Sequence, residues 1–263
     1  MNKYSAKKSL GQNFLRSQGA LRMIVSAGKV KAGDIVLEIG PGRGALTAKL
    51  LEAGAKVIAI EKDRLLIPIL TEKFQTEIAE NKLKIIEGDI LEMSAKEIFP
   101  HVGHVGEYKL IANIPYYITG AVVRKFLEEE NQPSLMVLLL QKEVAERIVV
   151  RDGKASILSM AVKAYSDPRY VGKVERKAFS PVPNVDSAIV AFENISKRFF
   201  TENKIEEKEF FEIMKAGFAA KRKKLSGNLK KFAERLNQKY FEEIKDKRAE
   251  ELTISDWKKL LQI

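Results

Sequence analysis

The chain contains no cysteine, which excludes disulfides, thiolate nucleophiles and sulfur-based metal sites. Histidine is nearly absent. The two present, His101 and His104, fall in the Gly-rich stretch from Pro100 to Gly106, which reads as a surface loop. Two imidazoles without a nearby carboxylate make a poor metal site, so neither a metal nor histidine-based catalysis is expected. No stretch approaches the ~18 uninterrupted apolar residues of a membrane helix, and the basic start lacks the apolar block of a secretory signal. A cytoplasmic protein with no membrane partner is expected. The lone tryptophan, Trp257, sits near Leu260 and Leu261 and is expected in a core.

What the chain does have is positive charge. Lys and Arg number 46 against 35 Asp and Glu, a net +11 that points to a polyanionic partner. Seven of the basic residues, among them Lys7 and Lys8, precede the first acid, Asp34. A second cluster, Lys221, Arg222, Lys223 and Lys224 with Lys230 and Lys231, has no acid between its members. Such one-sided segments can exchange counterions on a phosphate backbone, so both are expected to contact nucleic acid.

At 263 residues the chain has room for one large domain and a small one. Ser17 is expected to cap a helix over residues 18–27. From Ile35 short apolar strands alternate with helical patterns: strands over 35–39, 56–60, 83–86, 108–112 and 135–140, helices over 44–52 and 64–74. This order predicts an α/β, Rossmann-like fold, a parallel sheet covered on both faces, with ligands beyond the carboxyl ends of the strands. Residues 206–263 are rich in Lys, Glu and Leu at helical spacing and show no credible strand. The predicted division is a catalytic domain over 1–195 and a small all-helical domain over 196–263.

The first strand runs into Glu38, Gly40, Gly42 and Gly44, and Glu61 closes the second strand about 20 residues further on. Taken alone, this fits NAD or S-adenosylmethionine equally. Glu38 tips the balance, because a carboxylate beside the glycine turn repels a pyrophosphate and welcomes an ammonium or sulfonium. Asp89 ends the third strand, where a carboxylate can accept from an adenine amino group. Three acids at successive strand ends suit a positively charged, hydroxyl-bearing nucleoside.

Asn113, Ile114, Pro115 and Tyr116 follow the fourth strand and answer a chemical difficulty. An exocyclic amino group on a purine has its lone pair delocalised into the ring and is a poor nucleophile. If the Asn113 side-chain oxygen and the Ile114 or Pro115 carbonyl accept its two hydrogens, the nitrogen can pyramidalise and aim its lone pair at a methyl carbon. The same oxygens stabilise the positive charge that develops. Pro115 stiffens the loop, and Tyr116 offers a face on which a base can stack. Further on, Phe179 precedes Pro181 and Pro183. It either forms the second wall of a base sandwich or plugs the core.

These residues, with the Lys7–Leu15 segment, the Phe179–Pro183 segment and the Gly217–Leu225 segment, resemble the ribosomal RNA adenine dimethyltransferase family, and specifically its bacterial small-subunit branch associated with kasugamycin sensitivity. The resemblance spans essentially the whole chain. It implies S-adenosylmethionine as cofactor, with Asn13 and Leu15 closing over it and Gly40, Glu61, Asp89 and Asn113 binding it. It also implies a small-subunit rRNA substrate, dimethylated at two adjacent adenines in a hairpin loop near its end. A monomer is expected. Two alternatives share the fold: a large-subunit dimethyltransferase of the macrolide-resistance type, and an RNA-binding assembly factor without turnover.

Overall fold

The structure, a computed structural model, describes residues 4–99, 107–150 and 153–262. His101 and His104 lie outside the described residues, as does the side chain of Lys8. Two compact units emerge: residues 1–145 with 169–193, and residues 146–168 with 194–263. The expected division was 1–195 and 196–263; here residues 146–168 group with the C-terminal helices, and the later boundary falls after Glu193.

In chain order the strands are β1 (Phe14–Leu15), β2 (Ile35–Ile39), β3 (Lys56–Glu61), β4 (Leu83–Glu87), β5 (Tyr108–Asn113), β6 (Leu135–Gln141), β7 (Asp167–Val174), β8 (Phe179–Ser180) and β9 (Ser187–Glu193). Seven of them form one sheet in the order β4-β3-β2-β5-β6-β9-β7. Strands β4, β3, β2, β5 and β6 run parallel, and β9 is antiparallel to β6, with Leu138 opposite Val190. The sheet is therefore mixed rather than wholly parallel. Strand β6, Leu-Met-Val-Leu-Leu-Leu-Gln, is buried along all but its last residue. A continuous apolar run is what a central strand with both faces covered requires.

The helices α1 (Gln18–Ala27), α2 (Ala45–Glu52), α3 (Ile67–Lys73), α4 (Gln75–Ala79), α5 (Ala95–Ile98), α6 (Thr119–Glu128) and α7 (Lys142–Val149) punctuate the strands. Ser17 caps α1 as expected, its hydroxyl accepting from the Ala20 N–H at 3.3 Å. Helix α3 starts at Ile67, three residues later than the hydrophobic pattern suggested, and Pro68 sits in its first turn, where no backbone N–H is needed for the helix ladder. The chain leaves β2 toward β3 and β4, then returns to β5 on the other side of β2. That reversal makes a crevice between the carboxyl ends of β2 and β5.

The second unit holds α8 (Ile157–Tyr165), α9 (Arg198–Asn203), α10 (Glu207–Gly217), α11 (Leu225–Asn228), α12 (Gln238–Ile244) and α13 (Ile254–Leu261). Phe210, Met214, Leu225, Leu229 and Trp257 form its buried interior. A Cβ at Gly217 would stand 2.5 Å from the Trp257 ring, so glycine there lets α10 and the indole approach closely.

Candidate active site at the carboxyl ends of the strands

A cavity of about 690 Å³ opens at the crevice, lined by Glu38, Gly40, Glu61, Asp89, Asn113 and Tyr116 from the strand ends and by Gly11, Asn13 and Leu15 from the N-terminal arm. Every strand-end residue expected at the site therefore meets on one surface. The arm reaches it because β1 pairs with β8, Leu15 opposite Phe179, and because the Arg16 N–H donates to the Ala178 carbonyl at 2.8 Å.

The glycine turn has Gly40, Gly42 and Gly44 at φ of +65°, +58° and +71°, a region that penalises any side chain with a Cβ. A Cβ on Gly42 would lie 2.8 Å from the Phe14 ring, so this glycine admits the arm. A Cβ on Gly40 would meet nothing within 4 Å; it would fill open space at the cavity wall. That space, together with the three carboxyl-bearing residues that line the cavity, fits a cationic nucleoside such as S-adenosylmethionine.

Glu61 is 5% exposed and accepts from the Gly42 N–H at 3.0 Å and the Asp63 N–H at 2.8 Å. Burial pushes its carboxyl above the usual range, and the two backbone donors pull it part of the way back. Asp89 accepts from Lys62 Nζ at 2.5 Å and from the Leu91 N–H at 3.0 Å. The Lys62 ammonium holds it below the usual carboxylate range, so it stays charged.

Glu38 is the most deeply buried of the three acids. It is 1% exposed, the Thr47 hydroxyl donates to it at 2.7 Å, and burial pushes its carboxyl up to about 8. Burial disfavours the charged form, while the Thr47 hydrogen bond and the nearby Lys73 ammonium favour it.

Asn113 ends β5, and its Nδ2 donates to the Asn13 carbonyl at 3.2 Å, tying the arm to the catalytic loop. Among the described residues its Oδ1 meets no donor. The Pro115 carbonyl already accepts from the Ile118 N–H at 3.2 Å, which leaves the Ile114 carbonyl as the freer acceptor of the two considered. Tyr116 is half-buried, with its hydroxyl 2.7 Å from the Ser187 hydroxyl at the start of β9, which fixes the ring.

Two further residues find their places. Phe179 is 2% exposed and packed in the core with Leu15 and Leu21, whereas its neighbour Ser180 lines the cavity. Of the two roles left open for it, the structure supports the core plug, because pairing β8 with β1 turns the ring inward. Lys7, expected on RNA, has its ammonium 2.8 Å from the buried Asp63 carboxylate. Its charge is set against that acid, and its side chain remains 39% exposed. Lys221, Arg222, Lys223 and Lys224 are all exposed, and Lys224 pairs with Asp246 at 2.8 Å. Thr47, Lys62 and Asp63 escaped the sequence patterns, although the spacing of Asp63 two residues after Glu61 was a visible signal.

Residues 3–263 match the family described as Ribosomal RNA adenine dimethylase. The chain belongs to that family. A relative from Dehalococcoides mccartyi (strain CBDB1), Ribosomal RNA small subunit methyltransferase A, is 42% identical over 97% of this chain and 87% of that protein. A solved dimethyladenosine transferase from Plasmodium falciparum is 28% identical, with a TM-score of 0.77 over 94% of this chain and 96% of that one. The 23S rRNA methyltransferase ErmE, at 23% identity and a TM-score of 0.75 over 95% of this chain and 98% of its own, shares the fold. No helix among the described residues is long and apolar enough to cross a membrane.

Proposed function

We propose that this chain, acting in the cytoplasm as a monomer, transfers methyl groups from S-adenosylmethionine to the exocyclic amino groups of two adjacent adenines in the 3′-terminal hairpin loop of small-subunit rRNA. The observation that carries this reading is the convergence of Asn113, Ile114 and Tyr116 on the same cavity as Glu38, Glu61 and Asp89. Asn113 Oδ1 and the Ile114 carbonyl accept the two amino hydrogens and so free the nitrogen lone pair, while Tyr116 stacks on the base. Glu61 takes hydroxyls of the cofactor ribose, Asp89 its adenine amino group, and Glu38 faces its cationic end. The bound cofactor supplies an electrophilic methyl on a sulfonium. Asn113 and the Ile114 carbonyl stabilise the charge that develops on nitrogen, and solvent takes the released proton. No general base is needed before transfer. For the second methylation the same carbonyls hold one hydrogen and tolerate one methyl.

Lys221, Arg222 and Lys223, exposed on the helical unit, carry the contact with rRNA phosphates. The likeness to small-subunit relatives favours that target over the large subunit, and the intact Asn113 and acids favour turnover over a purely assembly role. The test is transfer of labelled methyl to small subunits lacking dimethyladenine. N6,N6-dimethyladenosine should appear in digested small-subunit rRNA with the native chain and be absent with Asn113→Ala, whose RNA binding should remain. Equal labelling by the variant would refute the assignment.

A further inference from the structure

Asp63 is a buried acid that the chemistry of methyl transfer does not use. Its side chain is wholly buried, and apart from the Leu65 N–H of its own turn, at 3.1 Å, all its donors come from the N-terminal arm. Lys7 Nζ approaches Oδ1 at 2.8 Å and Gln12 Nε2 approaches Oδ2 at 3.0 Å. The Tyr4 hydroxyl stands 2.5 Å from Oδ2 and 2.6 Å from Gln12 Oε1, sharing its one proton between them. Gln12 Oε1 also accepts from the Lys7 N–H at 2.7 Å, which closes the network. A buried carboxylate stripped of its cation and donors is costly, so the arm and Asp63 hold each other in place.

The placement of this knot gives it a purpose. Beyond Gln12 the chain supplies Asn13, Phe14 and Leu15 to the cavity wall and is pinned at its far end by β8. The wall is thus a strap fastened at both ends. The near fastening lies on the cofactor-binding turn itself, because the Asp63 N–H donates to Glu61 Oε1 at 2.8 Å. Arg43, from the glycine turn, adds a hydrogen bond to the Tyr4 carbonyl at 2.8 Å and lies over the Phe14 ring at 5.2 Å.

We propose that Asp63 is a positioning residue for cofactor binding: by fastening Tyr4, Lys7 and Gln12 it holds the arm closed over the cavity, so that arm order and cofactor affinity are linked. The proposal rests on the cofactor reading above and adds to it a residue that touches no cofactor. Linkage runs both ways, so a bound cofactor must also protect the arm.

The test uses the full chain, with S-adenosylhomocysteine as the binding probe and trypsin cleavage after Lys7 and Lys8 as the report on the arm. Asp63→Asn keeps the shape and removes the charge. We expect it to weaken binding by about tenfold or more, the factor that corresponds to about 1.4 kcal/mol of lost closure. Arm cleavage should speed up, and saturating ligand should slow it. The KM for cofactor should rise with kcat at saturation little changed. Gln12→Ala, which leaves Asp63 in place, should move the same readouts in the same direction and serves as the deciding variant if Asp63→Asn does not fold. Wild-type affinity and wild-type arm cleavage in the folded variants would overturn the proposal, as would a fall in kcat with KM unchanged. Failure of the native chain to bind the probe would instead refute the cofactor reading, whereas the cleavage rates without ligand would still decide whether Asp63 fastens the arm.

Discussion

Replacing Glu38 with Gln keeps the shape of a buried acid and removes its proton chemistry. The carboxyl rises from 4.5 to about 8 because burial outweighs the Thr47 hydrogen bond. A folded value above the unfolded one means that the stabilisation is complete below the unfolded value and is lost as pH climbs through the folded one. The window is therefore pH 4.5 to about 8. With each unit worth about 1.36 kcal/mol, the native chain should lose roughly 3 kcal/mol from this group between pH 4.5 and 7, which Glu38→Gln should not lose. Urea unfolding of both proteins across that range measures the difference directly. Cofactor binding gives a second reading: a cation that enters at pH 7 must ionise an acid that is about 0.9 protonated, so roughly that fraction of a proton should be released. Calorimetry with S-adenosylmethionine in two buffers of different ionisation enthalpy should detect the release in the native chain and none in the variant. Parallel pH–stability curves for the two proteins, together with buffer-independent heats for the native chain, would refute the reasoning.

Gly42→Ala should cost about 1–2 kcal/mol of backbone strain and displace Phe14, so thermal unfolding should shift down and cofactor affinity should fall; an unchanged affinity would detach the arm from the site. Tyr116→Phe should lose about 1 kcal/mol of stability with the Ser187 contact, read by denaturation, yet keep most of its activity. Tyr116→Ala should also forfeit about 1–3 kcal/mol of base stacking, seen as a raised KM for RNA. Changing Lys221, Arg222 and Lys223 to Gln together should weaken RNA binding and lower the slope of log affinity against log salt by roughly 2–3, measured by filter binding.

Much of the site was legible because it sits where strands end. Glu38, Gly40, Glu61, Asp89 and Asn113 each follow or close an apolar run, and a sheet with a topological reversal brings such positions together whatever else the chain does. What stayed hidden depends on contacts distant in sequence. Asp63 meets donors from residues 4–12, and Leu15 finds its place by pairing with Phe179, some 160 residues away. That pairing turns the Phe179 ring inward, which the Pro-flanked segment alone left open. Strand β7 went unseen because an edge strand tolerates Pro168 and exposed Arg169 and Lys173, so it carries no apolar run. The antiparallel direction of β9 was equally silent, since burial on both faces gives the same composition either way. Glu38 shows a further limit: the residue type was visible, but the depth of its burial was not.

The most direct test of the central claim is primer extension across both rRNAs in a deletion strain carrying either the native gene or Asn113→Ala. The account predicts that the native gene restores the dimethyladenine stop at two adjacent adenines in small-subunit rRNA and that the variant restores none. Restoration of a stop in large-subunit rRNA alone, or full restoration by the variant, would contradict it.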